Sequence, residues 1–217
     1  MKLALDLLLP VLCAGCGVAG AACCAACLLD LARPHPAPRG SAGVPVYALA
    51  AYEGTARRLV LAYKERGRRD LADPLGRAMA AAVPHLPEAR AAPDGIWWLV
   101  PAPSRRSASR QRGGAHLLRL ARRCAAHLAR AGHAAAVAPA LWLSSRARDA
   151  VGLDRDQRAE NLAGRLRLDP RGHPPPGAPV VLLDDVTTTG ATIAACTRTL
   201  AAGGWEVSAA LMLTAAR

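Results

Sequence analysis

The 217 residues can bury one good core plus a small appendage, which leaves no room here for a second core of that size. Its net charge of +12 and pI near 10.4 favour anionic partners, whether phosphorylated metabolites, nucleic acid or an anionic membrane face. No apolar run is long enough to span a membrane, and an aromatic content of 3% argues against sequence-specific single-strand recognition by stacking.

The first residues have some features of a signal peptide: Lys2, then the apolar run from Leu7 to Leu12, and small residues at Ala19-Gly20-Ala21. Asp6 interrupts the apolar run, and cleavage after Ala21 would divide a cysteine cluster. The expectation is a cytoplasmic protein. Five of the seven cysteines fall between residues 13 and 27. Cys13-x2-Cys16 and Cys24-x2-Cys27 form two knuckles that can present four thiolates tetrahedrally to Zn2+, which then stands in for a core in so small a unit. In a reducing compartment this pairing reads as metal before disulfide. Cys23 can replace Cys24 as a ligand at slightly different spacing. Cys124 and Cys196 lie in predicted helices among apolar neighbours, as core residues do.

Residues 33 to 45 are rich in proline and glycine and read as a linker closing a zinc-ribbon-like module over residues 1–44. Pro45 to Tyr52 is a predicted strand. From Gly54 to Lys64, Ala56, Leu59, Val60 and Tyr63 recur at helical spacing, while Arg57, Arg58 and Lys64 fall elsewhere on the wheel. A second helix is predicted over Leu71–Val83. Ile96 to Val100 is a fully apolar strand with Trp97 and Trp98 reading as buried. The segment from Pro101 through His133 carries eight arginines and no acid. Ser104 to Gly114 reads as a basic arm leading into a helix from about Ala115 to Ala131. Ala134 to Leu143 is a strand candidate, Ser144 to Asp156 a polar stretch, Gln157 to Gly164 helical, and Leu166-Arg167-Leu168 a short strand. The proline-rich tract from Asp169 to Pro179 cannot pair in a sheet. Trp205 to Thr214 closes the sheet.

The chain is organised around Val180-Val181-Leu182-Leu183-Asp184-Asp185-Val186-Thr187-Thr188-Thr189-Gly190-Ala191-Thr192. Four apolar residues without alternation predict a strand buried on both faces of a parallel sheet. A helix is expected from about Ile193 to Ala202. Ligands in such sheets bind beyond the carboxyl ends of strands, where a loop feeds a helix. The threonine turn offers backbone N–H groups, hydroxyls and a helix N-terminus to a phosphate, and Gly190 permits close approach. Carboxylates repel phosphate but accept hydrogen bonds from hydroxyls, so Asp184 and Asp185 suit a ribose diol. A 5-phosphoribosyl group has that shape.

This stretch resembles the phosphoribosyl-pyrophosphate motif of type I phosphoribosyltransferases, Asp-Asp-Val-x-Thr-Thr-Gly-x-Thr. The chain as a whole resembles the ComF/GntX family, which joins a four-cysteine zinc module to such a domain. The supporting segments are the double Cys-x-x-Cys, Tyr52-Glu53-Gly54, Ala62-Tyr63-Lys64-Glu65-Arg66-Gly67, Val100-Pro101-Ala102-Pro103, Arg110-Gln111-Arg112-Gly113, and Val151-Gly152-Leu153 before Arg158-Ala159-Glu160-Asn161. The resemblance implies a doubly wound, mostly parallel α/β sheet of type I phosphoribosyltransferase type over residues 45–217. It implies that Asp184 and Asp185 are the catalytic acids on the ribose hydroxyls, and that Thr188, Thr189, Gly190, Ala191 and Thr192 wrap the 5-phosphate. Pro101, Ala102, Pro103, Ser104 and Arg105 would face pyrophosphate, and Ser144 to Asp156 would supply a mobile hood. Mg2+ would be carried largely by the substrate's own oxygens. Where the family commonly has Phe-Asn-Gln, this chain has Gly114-Ala115-His116. The expected ligand is phosphoribosyl pyrophosphate or a nucleotide, with transfer of the phosphoribosyl group to an acceptor. The same resemblance implies the alternative of single-stranded DNA handling with the DNA-uptake machinery during competence.

Overall fold

In the computed structural model of the chain, the described residues are 10–37, 43–103, 116–144 and 164–216. They form a mostly parallel six-stranded sheet, a separate antiparallel pair of strands and five α-helices. The strands are β1 (His35–Pro36), β2 (Val46–Ala51), β3 (Trp97–Pro101), β4 (Ala135–Val137), β5 (Leu141–Leu143), β6 (Leu166–Leu168), β7 (Val180–Thr187) and β8 (Val207–Ala215). The helices are α1 (Ala25–Leu29), α2 (Gly54–Lys64), α3 (Ala72–Ala82), α4 (His116–Arg130) and α5 (Ala191–Ala202).

The strand order is β1-β2-β8-β7-β3-β4, with every pair parallel except β1 on β2. β7 lies at the centre and β8 beside it, and both are buried along nearly their whole length. An unbroken apolar run is what a strand covered on both faces requires. The connections out of the two central strands diverge. β3 leads through α4 to β4 on one side, whereas β7 leads through α5 to β8 on the other. Since parallel crossovers are right-handed, opposite directions of travel put α4 and α5 on opposite faces. The β2–β3 connection runs the same way as that of β3, so α2 and α3 share the face of α4. Gly76 lets α3 cross α4 closely: a Cβ there would meet Arg123 Cβ at 2.6 Å and the Cys124 amide nitrogen at 2.9 Å.

Three expectations are corrected. The linker expected over residues 33 to 45 contributes β1, whose His35 pairs with Ala48 and Pro36 with Tyr47; the Ala37 N–H then donates to the Val46 carbonyl at 2.8 Å. Proline is tolerated there because β1 is an edge strand. The single strand expected from Ala134 to Leu143 is two. β4 belongs to the main sheet and β5 pairs with β6, the break falling at Pro139, which has no N–H to continue a ladder. Trp97 and Trp98 are half-buried rather than buried. The helix expected over Gln157–Gly164 lies almost wholly outside the described residues.

The cysteine segment packs into the same core as the sheet: Cys13, Cys27 and Leu31 are buried together with Leu59 and Leu75. Arg58 Nε donates to the Gly15 carbonyl, and Arg68 Nη2 to the Leu12 carbonyl at 3.0 Å. Gly15 marks the closest approach, because a Cβ there would sit 2.8 Å from both Cys27 Sγ and Thr55 Cγ2. Among the described residues, no helix is long and apolar enough to cross a membrane.

Candidate functional site

The last residues of β3 lie beside the middle of β7. Val100 pairs with Leu182 and Pro101 with Leu183, and the Ala102 N–H donates to the Leu183 carbonyl at 2.8 Å. The chain leaving β3 therefore lies against Asp184. This is the point where the outgoing connections diverge, and open α/β sheets form a crevice there. Pro101, Ala102 and the threonine turn thus share one edge of the sheet. Proline has no N–H, and the only amide hydrogen of Pro101-Ala102-Pro103 is spent on Leu183. Pro101 and Ala102 are buried, and the three residues offer no free amide donor to an anion. Ser104, Arg105 and the rest of the basic arm lie outside the described residues, as do residues 145–156 of the expected hood. Ser144 ends β5, its N–H donating to the Arg165 carbonyl at 2.9 Å.

The threonine turn encloses a cavity of about 40 Å³ lined by Asp184 and residues 186–193. That volume suits one small anionic group and excludes a nucleobase. α5 begins at Ala191, two residues earlier than expected, so Ala191 and Thr192 stand in its first turn. Gly190 precedes it with φ +74°, a left-handed conformation that a side chain disfavours. The Ala191 N–H is 3.4 Å from Thr189 Oγ1, and the Ala194 N–H begins the helix ladder on the Gly190 carbonyl at 2.8 Å. The early N–H groups and the helix dipole make the turn attractive to an anion. Thr187 Oγ1 is buried without a hydrogen-bond partner, but strand alternation turns that side chain to the face of Asp185 and not to the one Asp184 presents.

The acids differ from their expected placement. β7 runs through them to Thr187 instead of ending before them, with Asp184 opposite Met212 of β8. Adjacent residues in a strand face opposite sides, so the two carboxyls cannot lie side by side as a pair. Asp184 lines the threonine cavity, and its Oδ1 accepts the Asp185 N–H at 2.8 Å. Asp185 points to the face of α2 and α4. There Oδ1 is 2.9 Å from Lys64 Nζ and Oδ2 is 2.9 Å from His116 Nε2. Both acids are buried, at 7% and 3% exposure.

Their protonation follows from these surroundings. Burial pushes the Asp184 carboxyl up to about 7; the Asp185 charge adds to this, while the Asp185 N–H and Lys64 oppose it. Burial would raise Asp185 too, but the His116 hydrogen bond and the Lys64 ammonium outweigh it and hold that carboxyl below its usual range. Lys64 is raised in turn, because Asp185 overcomes its own desolvation. Sequence reasoning assigned no role to Lys64 or His116, since their partner lies more than 65 residues away. Lys64 is one of only two lysines in an arginine-rich chain, which was the available signal.

The cysteines form the second site. The Sγ atoms of Cys13, Cys16, Cys24 and Cys27 all lie within 4.8 Å of one another, and those of Cys16 and Cys24 are 3.6 Å apart. Thiolates around a tetrahedral ion with metal–sulfur bonds of about 2.3 Å stand roughly 3.8 Å apart, so the cluster can hold one metal ion. Cys23 is outside it, its Sγ directed at the Cys24 carbonyl 3.7 Å away, which settles the choice in favour of Cys24. Burial raises the Cys13 thiol, but N–H groups of Cys24, Cys16 and Gly15 outweigh it and bring it down to about 6. Gly17 sits in the knuckle turn at φ +83°, and its N–H donates to the Cys13 carbonyl at 2.8 Å.

Two predictions follow from these environments. Unfolded, Asp184 ionises near ~4; folded, it does so at about 7. Between those values the folded state holds the extra proton, so stability falls as pH rises and the full penalty applies above the window. Asp184→Asn should therefore melt on the order of 5–10 °C above wild type at pH 8, and by much less at pH 4.5. An equal gap at both pH values refutes the assignment. The metal content should be one ion per chain by mass spectrometry, with chelation lowering the melting temperature. Cys24→Ser should lose the ion and Cys23→Ser should keep it; the reverse pattern would exchange the ligands.

No family model matches the chain, and no curated protein matches it, so the functional reading rests on its own residues and geometry.

Proposed function

We propose that the crevice between β3 and β7 binds phosphoribosyl pyrophosphate, and that the chain is a phosphoribosyltransferase-like protein of the ComF/GntX kind with the type I fold. The observation carrying this reading is the threonine-lined anion cavity with Asp184 in its wall, at the carboxyl end of β7 and just beyond the point where β3 leaves the sheet.

The chain's residues divide the ligand between them. The N–H groups and hydroxyls of the turn from Thr188 to Thr192 take the 5-phosphate. Asp184 takes a ribose hydroxyl, which can donate to its ionised carboxylate or accept from the neutral form. The walls exclude water and hold the anomeric carbon in place while its bond to pyrophosphate breaks and a bond to the acceptor forms. Mg2+, held by the substrate's own oxygens, supplies charge neutralisation on the leaving group; the cysteines are the sole clustered ligand set among the described residues. The cysteine cluster takes Zn2+ in a structural role, since it stands at the edge of the core as a closed set of four ligands.

A second reading, binding of single-stranded DNA, draws on α4. That helix carries Arg119, Arg122, Arg123 and Arg130 with no acid, and Arg122, Arg123 and Arg130 are exposed. Phosphate-backbone binding of this kind weakens steeply with salt.

Calorimetric titration with phosphoribosyl pyrophosphate and Mg2+ tests the first reading, with single-stranded DNA titrated beside it at low and moderate salt. Wild type should bind the metabolite saturably, and Asp184→Asn should weaken that binding at least about tenfold, the loss of a charge-assisted hydrogen bond. Absence of saturable binding by wild type rejects the phosphoribosyl reading. A DNA affinity that is undetectable or insensitive to salt rejects the second.

A further inference from the structure

Every oxygen of the Asp185 carboxyl is engaged by a residue of another element. Lys64 closes α2 and His116 opens α4, so this one side chain ties both helices to the carboxyl end of β7. The side chains of Asp185 and His116 are each 5% exposed and that of Lys64 is 31% exposed. A further link joins the helices directly: Tyr63 OH donates to the His116 carbonyl at 2.6 Å, and the two rings meet edge to face with centroids 5.9 Å apart. Asp185 does not line the threonine cavity, whereas Asp184 does. For Asp185 to reach a ligand there, it would have to turn through the strand and leave Lys64 and His116 without their acceptor, the His116 donor stranded at a buried position.

We infer that the two acids divide the work: Asp184 alone meets the ligand, and Asp185 is a positioning residue through which Lys64 and His116 fix the end of β7 and the threonine turn that follows it. The identity of the ligand rests on the phosphoribosyl reading; the positioning network does not. His116 is central to the arrangement, because its Nε2 gives the buried Asp185 Oδ2 its donor at 2.9 Å. Glutamine at 116 can still donate to Asp185 through its amide, and arginine at 64 still carries the charge. Leucine at 116 or methionine at 64 can do neither. A residue that only filled space would tolerate the apolar variants as well as the polar ones.

The test uses the full chain, with melting temperature and the Kd for phosphoribosyl pyrophosphate with Mg2+ as readouts. Lys64→Met, His116→Leu and Asp185→Asn should each lower the melting temperature and weaken binding about three- to tenfold, although none of these residues lines the cavity. Lys64→Arg and His116→Gln should restore both readouts to within about twofold in Kd. The double variant Asp185→Asn with Lys64→Met should lose no more than Asp185→Asn alone, in either readout, because both remove one interaction. Asp184→Asn should lose binding at least about tenfold without a fall in melting temperature at neutral pH. The inference is overturned if Asp185→Asn loses binding far beyond Lys64→Met at equal melting temperature, which would mean direct contact. Full additivity in the double variant, or failure of His116→Gln to restore, overturns it equally. Should wild type not bind the metabolite, the phosphoribosyl reading falls, and the melting-temperature cycle alone decides for or against the anchor.

Discussion

The parallel pairing of β3 with β7 sets what this molecule can do. Val100 against Leu182, Pro101 against Leu183 and the Ala102 N–H on the Leu183 carbonyl seat the last residues of β3 against β7, which runs on four residues past that pairing to Thr187. Their helices then leave in opposite directions and on opposite faces. Where β3 has left the sheet, the backbone of β7 on that side must find partners other than this sheet neighbour. The threonine turn and the start of α5 offer donors there, and Asp184 offers an acceptor.

Charge at this edge is governed by burial more than by sequence adjacency. Two carboxylates next to each other in a buried strand repel, and desolvation penalises both. The conflict is resolved unequally. Asp185 is kept ionised by Lys64 and His116, and its charge then helps push Asp184 toward neutrality. An acid held near 7 beside an anion cavity is less hostile to phosphate than a permanent carboxylate would be, while still able to hydrogen-bond a hydroxyl. The two acids thus act as one electrostatic unit with unequal members, which is how coupled carboxyl pairs commonly behave.

The cysteine segment serves the same edge from a distance. Its four thiols can hold one metal ion, and the segment docks on α2 through Gly15 and Arg58 and on the turn after α2 through Arg68. α2 is the helix that ends in Lys64, so the cluster braces the element that holds Asp185. β1 adds a second attachment by extending the main sheet beyond β2.

Much of this was readable from residues alone, because the relevant signals are local. The apolar run Val180–Leu183, the spacing of Ala56, Leu59, Val60 and Tyr63, and the two Cys-x-x-Cys pairs each declare an element or a ligand set within a dozen residues. The break at Pro139 and the pairing of His35 were missed because proline's effect depends on which strand, and which edge, the chain finally joins. What only the tertiary structure decided is which acid faces the cavity. Sequence places Asp184 and Asp185 side by side; strand alternation sends them to opposite faces, and the return of α2 and α4 to one of those faces captures Asp185 with Lys64 and His116. Those partners lie 121 and 69 residues away along the chain. No local pattern carries such a meeting, because it is made by the handedness and order of the crossovers, not by any spacing within one element.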